Sequence, residues 1–120
     1  MKLREVKDIL EAEVLVGENE LDREIKIAGA ADLMSDALAL LGEGGALLLT
    51  GLVTPQVIRT AEMLDLSAIV FVRGKMPPQE TIELARKLNI PLLRTKYPMY
   101  EACGKLYNAG LKGRKVEGVL

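Results

Sequence analysis

The chain has 120 residues, 49% of them hydrophobic, and a formal net charge of −1 from 16 basic and 17 acidic side chains. A domain of this size buries roughly 65% of its unfolded surface, so a real core is expected and disorder is excluded. The near-neutral charge argues against the basic surface that grips nucleic acid, and 3% aromatics leaves no platform for stacking bases.

Leu3, Val6, Ile9 and Leu10 recur at helical spacing among charged residues, which predicts a short amphipathic helix at the start. The chain enters it directly from Met1-Lys2-Leu3-Arg4-Glu5, without a signal peptide, and it has no apolar run long enough to cross a bilayer. We therefore expect a cytoplasmic protein that makes no membrane contact. Val14-Leu15-Val16 reads as a strand, Gly17-Glu18-Asn19-Glu20 as a turn, and Ile25-Lys26-Ile27 as a half-exposed strand. Asp32 is placed to cap the next helix, whose expected buried stripe is Leu33, Met34, Ala37, Leu38 and Leu41. Gly42, Gly44 and Gly45 end that helix. This glycine group precedes a strand, whereas a phosphate loop follows one, so it is a turn.

Residues 46–96 repeat one unit three times. Ala46–Leu49 ends in Thr50-Gly51, with Pro55 opening a helix. Ala68–Val72 ends in Arg73-Gly74-Lys75, with Pro77-Pro78 opening the next. Ile90–Leu93 ends in Arg94-Thr95-Lys96, with Pro98 opening the last. Thr50, Arg73 and Lys96 lie at a constant spacing of 23 positions. A continuous apolar run followed by a crossover helix is the pattern of a buried parallel strand. Proline suits the first helical position because its missing N–H has no intrahelical partner there. Gly110 ends the last helix, which carries Tyr100, Cys103, Leu106 and Tyr107 on one side. The tail over 111–120 has no period, and such a tail frays unless its own sheet or a neighbouring chain holds it.

Three parallel units put their polar loops on one edge, where α/β folds commonly bind ligands. Helix N-termini there offer N–H groups to anions, and Arg and Lys add charge. Thr50, Gly51, Arg73, Gly74, Lys75, Thr95 and Lys96 are thus the candidate ligand-binding residues for a small anionic metabolite. Arg59 and Met63, on one exposed helix face, are the candidate interface of a homodimer or of a contact with a partner protein. No catalytic residue is assigned. The chain has no histidine and one cysteine, Cys103, which reads as a small buried hydrophobe. Asp32 and Asp36 read as helix-start carboxylates. No metal site and no cofactor are expected.

The phrases Leu48-Leu49-Thr50-Gly51-Leu52, Gln56–Met63, Ile69–Lys75 and Met99–Gly104 resemble the DRTGG domain family over about residues 1–110. Val14–Gly17 with Leu21–Ile25, and Ile90–Lys96, are also similar to the N-terminal domain of HPr kinase/phosphorylase. The resemblance implies an α/β fold with a mixed sheet and an accessory, non-catalytic role. Other members sit beside CBS domains in regulated pyrophosphatases or are fused to phosphotransacetylase-type enzymes, and here we expect the module without a fused catalytic domain. No contiguous Asp-Arg-Thr-Gly-Gly stands in this chain; Asp22, Arg23, Thr50, Gly51 and Gly74 are the candidate counterparts. A hydrogenase or iron–sulfur association of standalone members does not extend to a bound cluster, because one cysteine and no histidine cannot hold one within a chain.

The expectation is a single three-layer α/β domain over residues 1–110, with a mostly parallel central sheet, an antiparallel contribution from 14–27, and a tail over 111–120. Its expected function is a non-enzymatic regulatory or assembly module, homodimeric, sensing a nucleotide or phosphorylated metabolite. The alternatives are an enzyme acting on a phosphorylated small molecule and a structural accessory subunit of a hydrogenase-type redox complex.

Overall fold

The apolar runs at 46–50 and 68–71 form the centre of the sheet, and every residue of both is buried. The computed structural model describes residues 1–115. In chain order the elements are α1 (Leu3–Ile9), β1 (Glu13–Val16), β2 (Ile27–Ala30), α2 (Met34–Leu40), β3 (Ala46–Thr50), α3 (Pro55–Met63), β4 (Ala68–Phe71), α4 (Gln79–Lys87), β5 (Leu92–Arg94) and α5 (Met99–Asn108); a 3₁₀ turn at Glu18–Glu20 follows β1.

The sheet order is β1-β5-β4-β3-β2. β2, β3, β4 and β5 are mutually parallel in sequence order, and β1 pairs antiparallel with β5. With strands added in one direction and a constant crossover hand, successive crossover helices fall on one face. Alternate strand residues serve opposite faces. Leu48, Ile69, Phe71 and Leu92 pack with α2, α3 and α4. Leu47, Leu49, Val70 and Leu93 pack with α1 and α5. The result is a three-layer α/β domain.

Four helices end the same way. After α1, α3, α4 and α5 the chain takes a left-handed residue, at Glu11, Asp65, Asn89 and Gly110. In each case the next residue turns its N–H back onto the helix: Ala12 to Lys7, Leu66 to Ala61, Ile90 to Ala85 and Leu111 to Leu106. This is the Schellman arrangement, and the apolar residue after the turn is buried each time. Three of the four left-handed positions are not glycine, so their turns carry no glycine signal.

The antiparallel share expected over 14–27 consists of β1 and a single bridge between Glu24 and Lys2. The strand read at Ile25–Ile27 instead lies at Ile27–Ala30 and runs parallel to β3. Its small residues concealed it, because Ala and Gly favour strands weakly. They are small for a reason: a Cβ on Gly29 would stand 2.8 Å from Leu41 of the α2 end. The α2 stripe also needs correction. Met34, Ala37 and Leu41 are buried, but Leu33 and Leu38 are exposed. Asp32 does not cap α2; Leu33 holds that position, without a side-chain cap.

The tail lies along the open edge of β2. Ala28 N–H donates to the Lys112 carbonyl at 3.0 Å, and Arg114 Nη1 donates to the Ala39 carbonyl at 2.9 Å. Its own chain thus covers part of an edge that would otherwise present unpaired backbone. The rest of the expected tail, 116–120, lies outside the described residues.

Candidate functional site

The carboxyl ends of β2, β3, β4 and β5 share one edge, so the loops after them are neighbours. Backbone bonds knit these loops together. Ala31 N–H donates to Leu49 O at 3.1 Å, Val72 N–H to Thr50 O at 3.1 Å, Arg73 N–H to Tyr97 O at 2.9 Å and Gly74 N–H to Thr95 O at 2.8 Å. Thr50, Gly51, Arg73, Gly74, Lys75, Thr95 and Lys96 therefore lie on a common edge.

Their surroundings divide them. Thr50 and Thr95 are fully buried and build the edge rather than face solvent. The Thr95 hydroxyl donates to Leu10 O at 2.8 Å and accepts from Tyr97 N–H at 3.3 Å. The Thr50 hydroxyl donates to Asp32 Oδ1 at 3.3 Å and accepts from Leu52 N–H at 3.1 Å. Both hydroxyls are engaged inside the protein. Arg73, Lys75 and Lys96 are exposed, and Gly51 and Gly74 are half-buried. None of the three cations enters an ion pair among the described residues. Neighbouring Arg94 differs: Glu13 holds it at 2.8 Å.

Val72-Arg73-Gly74-Lys75 is a tight turn closed by Lys75 N–H to Val72 O at 3.2 Å. Arg73 and Gly74 both have positive φ, 59° and 66°, the pattern of a type I′ turn. Arg73 is the one non-glycine residue of positive φ, among those described, that does not terminate a helix. A left-handed arginine costs roughly 1–2 kcal/mol. The turn brings its guanidinium over Gly51: a Cβ there would stand 2.9 Å from Arg73 Nη2 and 3.3 Å from Asp32 Oδ1. Two side chains converge on the bare backbone of Gly51, and a methyl group there would displace the guanidinium.

Sequence reasoning missed Asp32 at this edge. Its Oδ1 accepts the Gly51 N–H at 2.7 Å. A carboxylate of the chain itself thus occupies an N–H expected to be open to an anion. Nothing in the sequence signals a contact across 19 residues. The strand order also never reverses within the parallel set, so the edge lacks the crevice of a topological switch point.

The counterparts of the family letters do not form one site. Arg23 Nη1 donates to Ser67 O, just before β4, while Gly74 follows the other end of that strand. Asp22 faces Arg4 at 3.4 Å. Lys96 flanks a separate depression of about 350 Å³ with Leu10, Glu11 and Tyr97. Arg59 and Met63 are exposed on α3, with Arg59 3.9 Å from Glu62. Cys103 is half-buried rather than buried, and burial pushes its thiol pKa up. Among the described residues no group of His, Cys, Asp and Glu is placed to hold a metal ion. Nor is any helix there long and apolar enough to cross a membrane.

The DRTGG domain profile matches residues 5–109. The chain belongs to the DRTGG domain family. A search of curated proteins finds no significant match. Among solved structures this DRTGG chain is similar to the CBS and DRTGG domains of the regulatory region of a Clostridium perfringens pyrophosphatase, a structure complexed with its activator diadenosine tetraphosphate. The likeness has a TM-score of 0.70 at 20% identity and covers 99% of this chain and 52% of that one. It establishes the shared fold; the DRTGG chain described here spans about half the length of that regulatory region.

Proposed function

We propose that this DRTGG chain is a non-enzymatic regulatory module, cytoplasmic and homodimeric, that senses a small anionic metabolite at the carboxyl edge of its sheet. One observation carries the reading. Arg73 is held in a left-handed turn, exposed and without an ion pair among the described residues, with its guanidinium over the backbone of Gly51. Strained backbone of this kind persists where a surrounding site fixes it. An arginine fork takes phosphate or carboxylate in two parallel bonds, and Lys75 and Lys96 add point charges. The similar regulatory region is complexed with a nucleotide activator, which supports a nucleotide or other phosphorylated ligand. The sequence resemblance of Val14–Gly17, Leu21–Ile25 and Ile90–Lys96 to the N-terminal domain of HPr kinase/phosphorylase implies a role without chemistry.

An enzyme acting on a phosphorylated substrate would need a positioned acid, base or nucleophile at this edge. The carboxylate present there, Asp32, is engaged by Gly51 N–H and Thr50, which suits binding better than proton transfer.

The test is a thermal-shift and calorimetric screen with diadenosine tetraphosphate, adenine nucleotides and inorganic pyrophosphate. The proposal expects one of these to raise Tm in a saturable manner, without turnover. It expects Arg73→Ala to weaken that ligand by about 1.5–3 kcal/mol. No shift with any of them, or phosphate release on incubation, contradicts it.

A further inference from the structure

The homodimer in that proposal needs a surface, and α5 carries one. Tyr100 is 86% exposed and Tyr107 is 56% exposed, unusual for large rings in a domain with 3% aromatic residues. At 3.6 residues per turn, Tyr100, Cys103, Gly104 and Tyr107 follow one another at i, i+3, i+4 and i+7. Gly104 lies at the middle of the exposed face, and a Cβ there would meet nothing within 4 Å. Glu101 and Lys105 occupy the other flank of Gly104; neither enters an ion pair among the described residues, and Lys105 Nζ stands 4.7 Å from the Tyr97 ring centre of its own chain, from which it must reach across. Lys112 Nζ, 3.6 Å from the Tyr107 ring centre, covers one face of that ring.

We propose that two copies of this chain meet through α5, antiparallel, about a two-fold axis at Cys103 and Gly104. The argument is self-complementarity. When two copies of one helix pack antiparallel, each flank meets the same flank of the partner. Glu101 then faces Lys105 of the partner subunit, and the two-fold axis repeats the pair in reverse. On the other flank Tyr100 faces Tyr107 of the partner subunit. Both pairings share a centre at Cys103–Gly104, where the small residues let the backbones approach. The other exposed apolar groups lack this match. Leu33, Leu38 and Leu40 fall on both sides of the buried stripe of α2. On α3, Met63 stands alone among polar and charged residues, with Arg59 beside Glu62.

The test is sedimentation of the full chain across micromolar concentrations. Wild type is expected as a dimer. Gly104→Gln adds bulk at the axis into open space, so it folds, and it is expected to weaken association by about tenfold or more. Glu101→Lys alone and Lys105→Glu alone bring like charges together and weaken it; the double exchange restores it. Arg59→Glu with Met63→Lys leaves it unchanged. A wild-type monomer overturns both the dimer and its surface. A dimer that resists the α5 variants and dissociates with the α3 variant leaves the dimer standing and overturns α5. Nucleotide thermal shifts on the same variants report the carboxyl-edge reading separately.

Discussion

Arg73 lies over Gly51, its Nη2 2.9 Å from where a Cβ on that glycine would stand. Two loops that follow different strands are thereby placed in contact through one guanidinium. The strain at Arg73 and the bare backbone at Gly51 belong to the same arrangement, and each can be tested separately.

Arg73→Gly separates stability from binding. Glycine adopts φ near +59° without a Cβ penalty, so the fold should be unchanged or more stable by up to ~1–2 kcal/mol. Anion affinity should fall in the same variant. Urea unfolding in parallel with ligand titration checks this, and clear destabilisation would show that the side chain supports the fold.

Gly51→Ala should retain the fold, because the nearest atom is the far end of a flexible arginine. The Arg73 guanidinium must swing away to admit the methyl group. Circular dichroism should be that of wild type, with ligand affinity lowered nearly as far as in Arg73→Ala. Unchanged affinity would mean that the position of the guanidinium over Gly51 is irrelevant to binding.

Asp32→Ala should cost about 0.5–1.5 kcal/mol by removing the acceptor of Gly51 N–H. It also removes the carboxylate that competes for that N–H. Anions should therefore bind more tightly to this variant than to wild type, as titration with inorganic pyrophosphate would read. Weaker binding would make Asp32 a ligand contact instead.

Thr95→Val should destabilise by about 1–3 kcal/mol, because the buried hydroxyl bonded to Leu10 O has no replacement. Denaturant midpoints measure it. The change reports how firmly α1 is tied to the β5 loop.

Much of the architecture was legible because β3 and β4 are buried on both faces, and such strands are written as unbroken apolar runs. The helices after β3, β4 and β5 are marked by Pro55, Pro78 and Pro98. β2 is hidden in the sequence because Ala28, Gly29 and Ala30 look like a loop until Leu41 is seen against Gly29. Leu33 and Leu38 were assigned to the core by apolarity alone, yet the burial of α2 follows Met34, Ala37 and Leu41. At the edge, Arg73, Gly74 and Lys75 could be located from the strand that precedes them. Asp32 could not be assigned there, since its partner Gly51 is reached only through the β2–β3 pairing. Glu11, Asp65 and Asn89 turn left-handed without glycine, so those helix ends show only in backbone geometry.

Cys103 gives a pH-dependent expectation. Burial raises its pKa above the ordinary 9.0, so the folded state holds its proton more tightly than the unfolded chain. That contribution to stability is fully present below the unfolded pKa and is lost as pH rises through the folded one. Thiol labelling near pH 8 should be slower in the native chain than in urea, and equal rates would show that the thiol is not held by burial.

The most direct measurement is calorimetric titration of wild type and Arg73→Gly with whichever nucleotide or phosphorylated metabolite raises wild-type Tm. The account predicts that Arg73→Gly loses roughly 10–100-fold in affinity while its unfolding midpoint stays level or rises. Equal affinity in the two proteins would contradict it.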